Sequence, residues 1–294
     1  MPVVGFSGLH THANDHGYGL AVVNVNSLAI ARGIIQSASD LDAPVVLSVR
    51  GRDLMEEIMP SLESMARRAR NPISLLATDI HDSEQAIVAI RLGCNALVLD
   101  EALSDTTADE IRTIAVSCGF DVIEKEHSGS LIHIDDELES VTLDAAGRVF
   151  SSWRGMDASV AELAANFVQD VFNQAGASGQ GADALENCGP WRPVEHLIVY
   201  NTTVDDKTSA EMAAVGRRVL DRIPGVRATW SGRAVKSDAK YRWCWLIRFA
   251  QASVIDSYRD HPDHVAYADN HFRPIAGDRI SIDYELMGAE EDDA

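Results

Sequence analysis

Apolar residues in the N-terminal part of the chain come in short runs separated by longer amphipathic stretches, a rhythm of strands alternating with helices. Gly19-Leu20-Ala21-Val22-Val23-Asn24-Val25 reads as a strand. Ser27, whose hydroxyl can accept a backbone N–H, caps an Ala- and Ile-rich helix running to about Leu41. Pro44 to Val49 is the next strand and Arg52 to Arg70 a long amphipathic helix. Ile73 to Ile80, Ala96 to Asp100 and Asp121 to Glu124 continue as strands. Ser83 to Leu92 and Thr107 to Ser117 are the helices between them, stopped by Gly93 and Gly119. Strands that are apolar without clean alternation are buried on both faces, so these units predict a parallel sheet covered by helices. About five units fit before residue 130, too few for a complete eight-stranded barrel.

The pattern then changes. Glu139 to Phe150 predicts a hairpin around Asp144-Ala145-Ala146-Gly147. Asp157 to Asn173 predicts a helix with Val160, Leu163, Phe167 and Val171 at helical spacing, and the Gly- and Ala-rich residues 176–188 read as a flexible linker. A strand at 194–203 follows, then a helix from Asp206 to Arg222 with Met212, Val215, Val219 and Leu220 on one face. Ile223-Pro224-Gly225-Val226 breaks into a second strand, Arg242 to Phe249 alternates as a half-buried third, and Arg279 to Leu286 closes the sheet. Pro262 cannot sit in a helix interior, so one short helix stops near Asp260 and another starts at Pro262. This β-α-β-β-α-β order predicts a four-stranded antiparallel sheet with helices on one face.

At 294 residues the chain has room for two domains. The expected division is 1–175, a linker at 176–192, a second domain at 193–288 and an acidic, disordered tail at 289–294. A net charge of −20 argues against nonspecific attraction to nucleic acid or an anionic membrane. Cys94, Cys118, Cys188 and Cys244 form no CxxC pair, which fits free thiols in a reducing compartment. Neither a leader-like N-terminus nor a membrane-length apolar run is present, so a cytoplasmic protein is expected. No glycine spacing amounts to a dinucleotide or phosphate-loop fingerprint.

The C-terminal segment Tyr258-Arg259-Asp260-His261-Pro262-Asp263-His264-Val265, with the Ile-Pro-Gly-Val turn and the strand Val194-Glu195-His196-Leu197-Ile198, resembles the stress-responsive α/β-barrel (Dabb) domain over residues 193–288. The resemblance implies a ferredoxin-like unit that pairs into a dimeric barrel. It also implies acid–base roles for Tyr258 and His264 with His196 nearby, as in a cyclase of the family. The N-terminal half resembles class II, zinc-dependent fructose- and tagatose-bisphosphate aldolases. That likeness is carried by Gly17 to Ser27, Ala43-Pro44-Val45-Val46-Leu47, Ser83 to Gly93, Leu97-Val98-Leu99-Asp100 and Val122-Ile123-Glu124-Lys125-Glu126. The implied fold class is therefore α/β: a partial (β/α) barrel followed by an α+β ferredoxin-like domain.

The aldolase motif Leu-Asp-His-Gly is replaced here by Ala77-Thr78-Asp79-Ile80-His81-Asp82. Asp79 fills the Asp position, Ile80 stands at the zinc-binding His, and His81 is displaced by one. Asp79, His81 and Glu126 (or Glu124) remain as metal candidates, but zinc needs at least three protein donors converging on one point and a half-barrel offers at most two from the motif. No cofactor, and no stoichiometric zinc, is expected. His10, His12 and His16 lie before the first strand and are expected to face solvent or cap a helix.

Three function classes follow. The first is acid–base chemistry of cyclase, isomerase or lyase type on a small carbonyl substrate, with His264 as base, Tyr258 as oxyanion donor and His196 orienting. The second is an aldolase-like metal lyase assembled between subunits, and the third a noncatalytic assembly or ligand-binding protein. In each the chain is expected to pair with itself through residues 193–288, because Ile198, Trp243, Trp245 and Ile247 are too apolar to leave in water.

Overall fold

Apolar runs and capping residues place the N-terminal elements. The computed structural model describes residues 2–123, 131–134, 142–143, 149–150, 166 and 168–286. The chain divides into one unit of residues 1–115 and 120–191 and another of residues 116–119 and 192–294.

In the first unit α1 (Phe6–His16) leads into β1 (Leu20–Asn24), α2 (Leu28–Asp40), β2 (Val45–Arg50), α3 (Arg52–Ala66) and β3 (Ile73–Ile80). Then come α4 (Ser83–Leu92), β4 (Ala96–Leu99), α5 (Asp105–Ser117), β5 (Asp121–Ile123) and β6 (Leu131–Ile134). Ser27 caps α2 by accepting from the Ile30 N–H at 3.3 Å. Asp82 caps α4 by accepting from Gln85 N at 2.7 Å, while the Gln85 side chain accepts from His81 N at 2.8 Å. The strands form one parallel sheet in the order β5-β4-β3-β2-β1-β6.

The sheet has six strands where about five were expected. The run Leu131-Ile132-His133-Ile134, too short to stand out in sequence, pairs with β1 and gives it a second neighbour. The expected hairpin is present as β7 (Thr142–Leu143) against β8 (Val149–Phe150), antiparallel. Its turn, most of the predicted 157–173 helix, Glu124, Glu126 and the acidic tail lie outside the described residues. Helix α6, described over 168–174, buries Val168, Val171 and Phe172 in this unit.

The stretch expected as a flexible linker contains α7 (Gly181–Cys188). Composition misleads here because its small residues serve close packing. A Cβ on Gly181 would lie 2.5 Å from the Asp42 side chain, and one on Gly8 of α1 3.3 Å from the Cys188 carbonyl oxygen. Ala177 and Ala184 are fully buried.

The second unit runs β9 (Val194–Thr202), α8 (Asp206–Leu220), β10 (Val226–Arg233), β11 (Trp243–Phe249), α9 (Val254–Asp260), α10 (Pro262–Tyr267) and β12 (Ala276–Glu285). A π-helical turn at Ala268–Phe272 follows α10. The sheet is antiparallel throughout, in the order β10-β11-β9-β12, the ferredoxin-like plait. Gly225 adopts φ 82° at the Ile-Pro-Gly-Val turn, and a Cβ there would strike Val254 at 2.5 Å.

Trp243, Trp245 and Ile247 do not form the face that needs a cover from outside. Trp245 and Ile247 are each 1% exposed, on the side that carries the cleft with Leu220 of α8 and Tyr258 of α9. The opposite side, one residue out of phase, exposes Trp230, Ile280, Ile282 and Tyr284. The alternation was read correctly but assigned to the wrong side, because a period of two does not say which set the helices cover.

Candidate functional site

The plait brings together His196, Tyr258 and His264. His196 projects from β9, in register with Ile247 of β11 and Asp283 of β12. Tyr258 lies in the last turn of α9, and His264 is the third residue of α10, whose entry is fixed by Pro262 at its first position and by His261 accepting from Asp263 N at 3.2 Å. The ring centroids of Tyr258 and His264 are 4.4 Å apart, and those of His196 and Tyr258 6.2 Å. Phe249 closes the group at 4.8 Å from Tyr258.

Hydrogen bonding fixes the imidazole tautomers. His264 Nδ1 lies 2.9 Å from the Arg259 carbonyl oxygen, which can only accept, so Nδ1 carries the proton and Nε2 keeps a lone pair. His196 Nδ1 donates to Asp283 Oδ1 at 2.6 Å. Burial pushes the His264 pKa below its ordinary value; the bond to Arg259 opposes this, and the charges of His196, Arg273 and His261 add to it. Burial, with Tyr267 beside it, raises the Tyr258 phenol far above its ordinary value, so it stays an O–H donor. The cleft between them, lined by Ile198, Leu220, Trp245, Ile247, Tyr258 and His264, has a volume of about 30 Å³, which is room for one water.

The N-terminal candidates have separate partners. Asp79, at the end of β3 with φ 58°, meets Arg50 Nε at 2.9 Å, while His81 Nδ1 meets Asp100 Oδ2 at 3.3 Å. Ile80, at the position of the zinc-binding His, is fully buried and has no lone pair to offer. These residues do not fit an aldolase-type zinc.

Of the histidines before β1, His12 departs from expectation. His12 is buried, with Nδ1 3.0 Å from the Tyr18 hydroxyl and Nε2 2.8 Å from Asp183 Oδ2. His16 is exposed, yet its Nε2 also meets Asp183 at 3.2 Å. Asp183 and Tyr18 were not singled out from the sequence. The signal available was the i,i+4 spacing of His12 and His16, together with a helical reading of 181–188.

Residues 195–286 match the family of the Stress responsive A/B Barrel Domain, so a Dabb domain forms the C-terminal part of the chain. A Dabb family protein of ferredoxin-like fold from Mesorhizobium loti shares 23% identity, covers 33% of this chain and 99% of its own, and superposes with a TM-score of 0.31. Over the N-terminal part, the fructose-bisphosphate aldolase of Thermus caldophilus is 22% identical across 161 residues, 49% of this chain. The chain spans about half (52%) of that relative's length. The YdjI aldolase of Escherichia coli K12 is 13% identical, covering 60% of this chain and 99% of its own, with a TM-score of 0.48. The chain is thus α/β, with a parallel sheet in its N-terminal unit and a ferredoxin-like Dabb domain at its C-terminal end. Among the described residues no helix is long and apolar enough to cross a membrane.

Proposed function

We propose that the Dabb unit binds a small carbonyl compound between sheet and helices and moves a proton on it, as a cyclase, isomerase or lyase does. The observation that carries this reading is the His264 ring, tethered through Nδ1–H to the Arg259 carbonyl with its Nε2 lone pair free beside the Tyr258 ring. His264 Nε2 removes a proton from the carbon next to the carbonyl, and the released electron pair moves onto the carbonyl oxygen. The Tyr258 O–H hydrogen-bonds that oxygen, and His196, oriented by Asp283, supports the ring wall. The imidazolium returns its proton to the rearranged product, so the cycle balances. Substrate entry requires α10 and the π turn to swing outward, because the closed cleft holds about one water.

The test is α-proton exchange of small diketones and aryl ketones in D₂O, followed by proton NMR. His264→Gln should slow exchange by about 10²–10⁴-fold and Tyr258→Phe by about 10²-fold. Wild-type protein no faster than His264→Gln would remove the catalytic reading. The small cleft would then favour the noncatalytic reading, an assembly or binding module.

Pairing belongs to the same proposal. The side of the sheet away from the cleft carries Trp230, Ile280, Ile282 and Tyr284, each more than a third exposed, with half-buried Leu197, Val199 and Leu246 between them. A second copy of this chain, apposing the same face about a two-fold axis, supplies a matching apolar surface.

A further inference from the structure

We propose that His12, His16 and Asp183 form a binding site for a zinc-class divalent cation, joining α1 to α7 within the N-terminal unit. The ligand atoms of the three side chains all lie within 4.8 Å of one another. Asp183 Oδ2 is 2.8 Å from His12 Nε2 and 3.2 Å from His16 Nε2. A tetrahedral zinc with bonds of about 2.0–2.2 Å sets its ligand atoms about 3.3–3.5 Å apart. The two spacings to the carboxylate therefore need a shift of only a few tenths of an ångström per atom, and the separation of the two imidazole nitrogens, at most 4.8 Å, closes to that range by small rotations of exposed His16.

The helix supplies the preorganisation. Positions i and i+4 share one face of α1, and the two imidazoles stack with centroids 4.0 Å apart and planes at 15°. His16 Nδ1 lies 2.9 Å from the His12 carbonyl oxygen and must donate to it. That turns Nε2 toward the carboxylate oxygen, to which it bonds when protonated and beside which, when unprotonated, it offers a lone pair to a cation. His12 Nδ1 is held by the Tyr18 hydroxyl in a buried contact, leaving Nε2 to the same carboxylate. A partner on the outer ring nitrogen of each ligand is the arrangement that fixes imidazole orientation at metal sites.

Access and selectivity follow from the surroundings. The His12 side chain is 4% exposed, while His16 and Asp183 are 44% and 51% exposed, so the cation enters from solvent and keeps a water in its fourth position. Two imidazoles and one carboxylate suit Zn²⁺ and its neighbours in the transition series; Mg²⁺ and Ca²⁺ prefer all-oxygen shells. Cys188, the last residue of α7, is not one of the three clustered ligands. These residues lie outside the aldolase motif on which the expectation of a zinc-free protein rested, and the proposal replaces that expectation.

A bound ion would tie together segments 171 residues apart in sequence and raise the melting temperature by mass action. The experiment uses the full chain, stripped with chelator and dialysed, titrated with zinc chloride and separately with magnesium chloride by calorimetry and thermal melting. One zinc per chain with an upward melting shift, and no response to magnesium, is the expected result. His16→Ala and Asp183→Asn, both at exposed positions, should each weaken zinc binding about tenfold or more, whereas Cys188→Ser should not. Two results would overturn the proposal. One is no zinc heat and no melting shift up to about millimolar zinc; the other is undiminished binding in both variants, which would place the ion elsewhere.

Discussion

At the scale of the residue, His264 is where the proposed function and stability meet. Its folded pKa is depressed below the ordinary 6.5, with burial as the main cause. As pH falls the unfolded chain takes up this proton first. The contribution is therefore fully present above about 6.5 and is lost as pH drops through the lower folded value. Melting temperature measured from pH 8 down to pH 5 should fall for the wild type and fall less steeply for His264→Gln. Parallel curves would show that the imidazole is not held neutral by its surroundings. His196, Tyr258 and His264 were legible because two of them share one short segment and the third lies on an unmistakable strand. The partners that hold the two imidazoles, the Arg259 carbonyl and Asp283, come from helix geometry and strand register. Asp183 was illegible for a stronger reason, since 171 residues separate it from His12 and the contact exists only after folding.

At the scale of the element, punctuation was read well and small residues badly. Ser27, Pro262 and the Ile-Pro-Gly-Val turn act through local hydrogen bonds and fixed backbone angles, which the sequence states directly. Gly181 reads as flexibility but is a close contact, and the same is true of Gly216 in α8. A Cβ there would sit 2.5 Å from the Tyr267 hydroxyl and 2.8 Å from the Trp245 ring, and Tyr267 is further held by donating to the Met212 carbonyl at 3.2 Å. On an exposed helix Gly→Ala would add about 1 kcal/mol of stability. Here overpacking against two buried rings should reverse the sign, and Gly216→Ala should cost about 1–3 kcal/mol. The denaturant midpoint of the tryptophan signal reads this, and a stabilised variant would show that the rings yield. The sixth strand of the parallel sheet escaped notice because four residues carry too little periodicity to be told from a loop.

At the scale of the molecule, the sequence called for a partner and named the wrong surface. Trp245 and Ile247 are covered within their own unit, so the demand comes from Ile280, Ile282, Tyr284 and Trp230. Light scattering should give about twice the 31.9 kDa chain mass, and Ile282→Asp, which sets a carboxylate into the apposed faces, should return it to one chain. A wild-type monomer at micromolar concentration would end the pairing proposal. With −20 charges per chain, association should strengthen as salt screens the repulsion between copies. The same strand has another side to its character. Among the described residues β12 is the last strand of its sheet, so one row of its N–H and C=O groups meets no described neighbour there, and every second side chain from Ile280 is apolar. Such a strand is a template for indefinite stacking. Arg279, Ser281, Asp283 and Glu285 alternate with Ile280, Ile282, Tyr284 and Leu286, so a copy adding to that edge in parallel register would bring like charges together at three of the four polar positions. The interleaved charges act as gatekeepers, discouraging fibres along the edge while leaving the apolar face free.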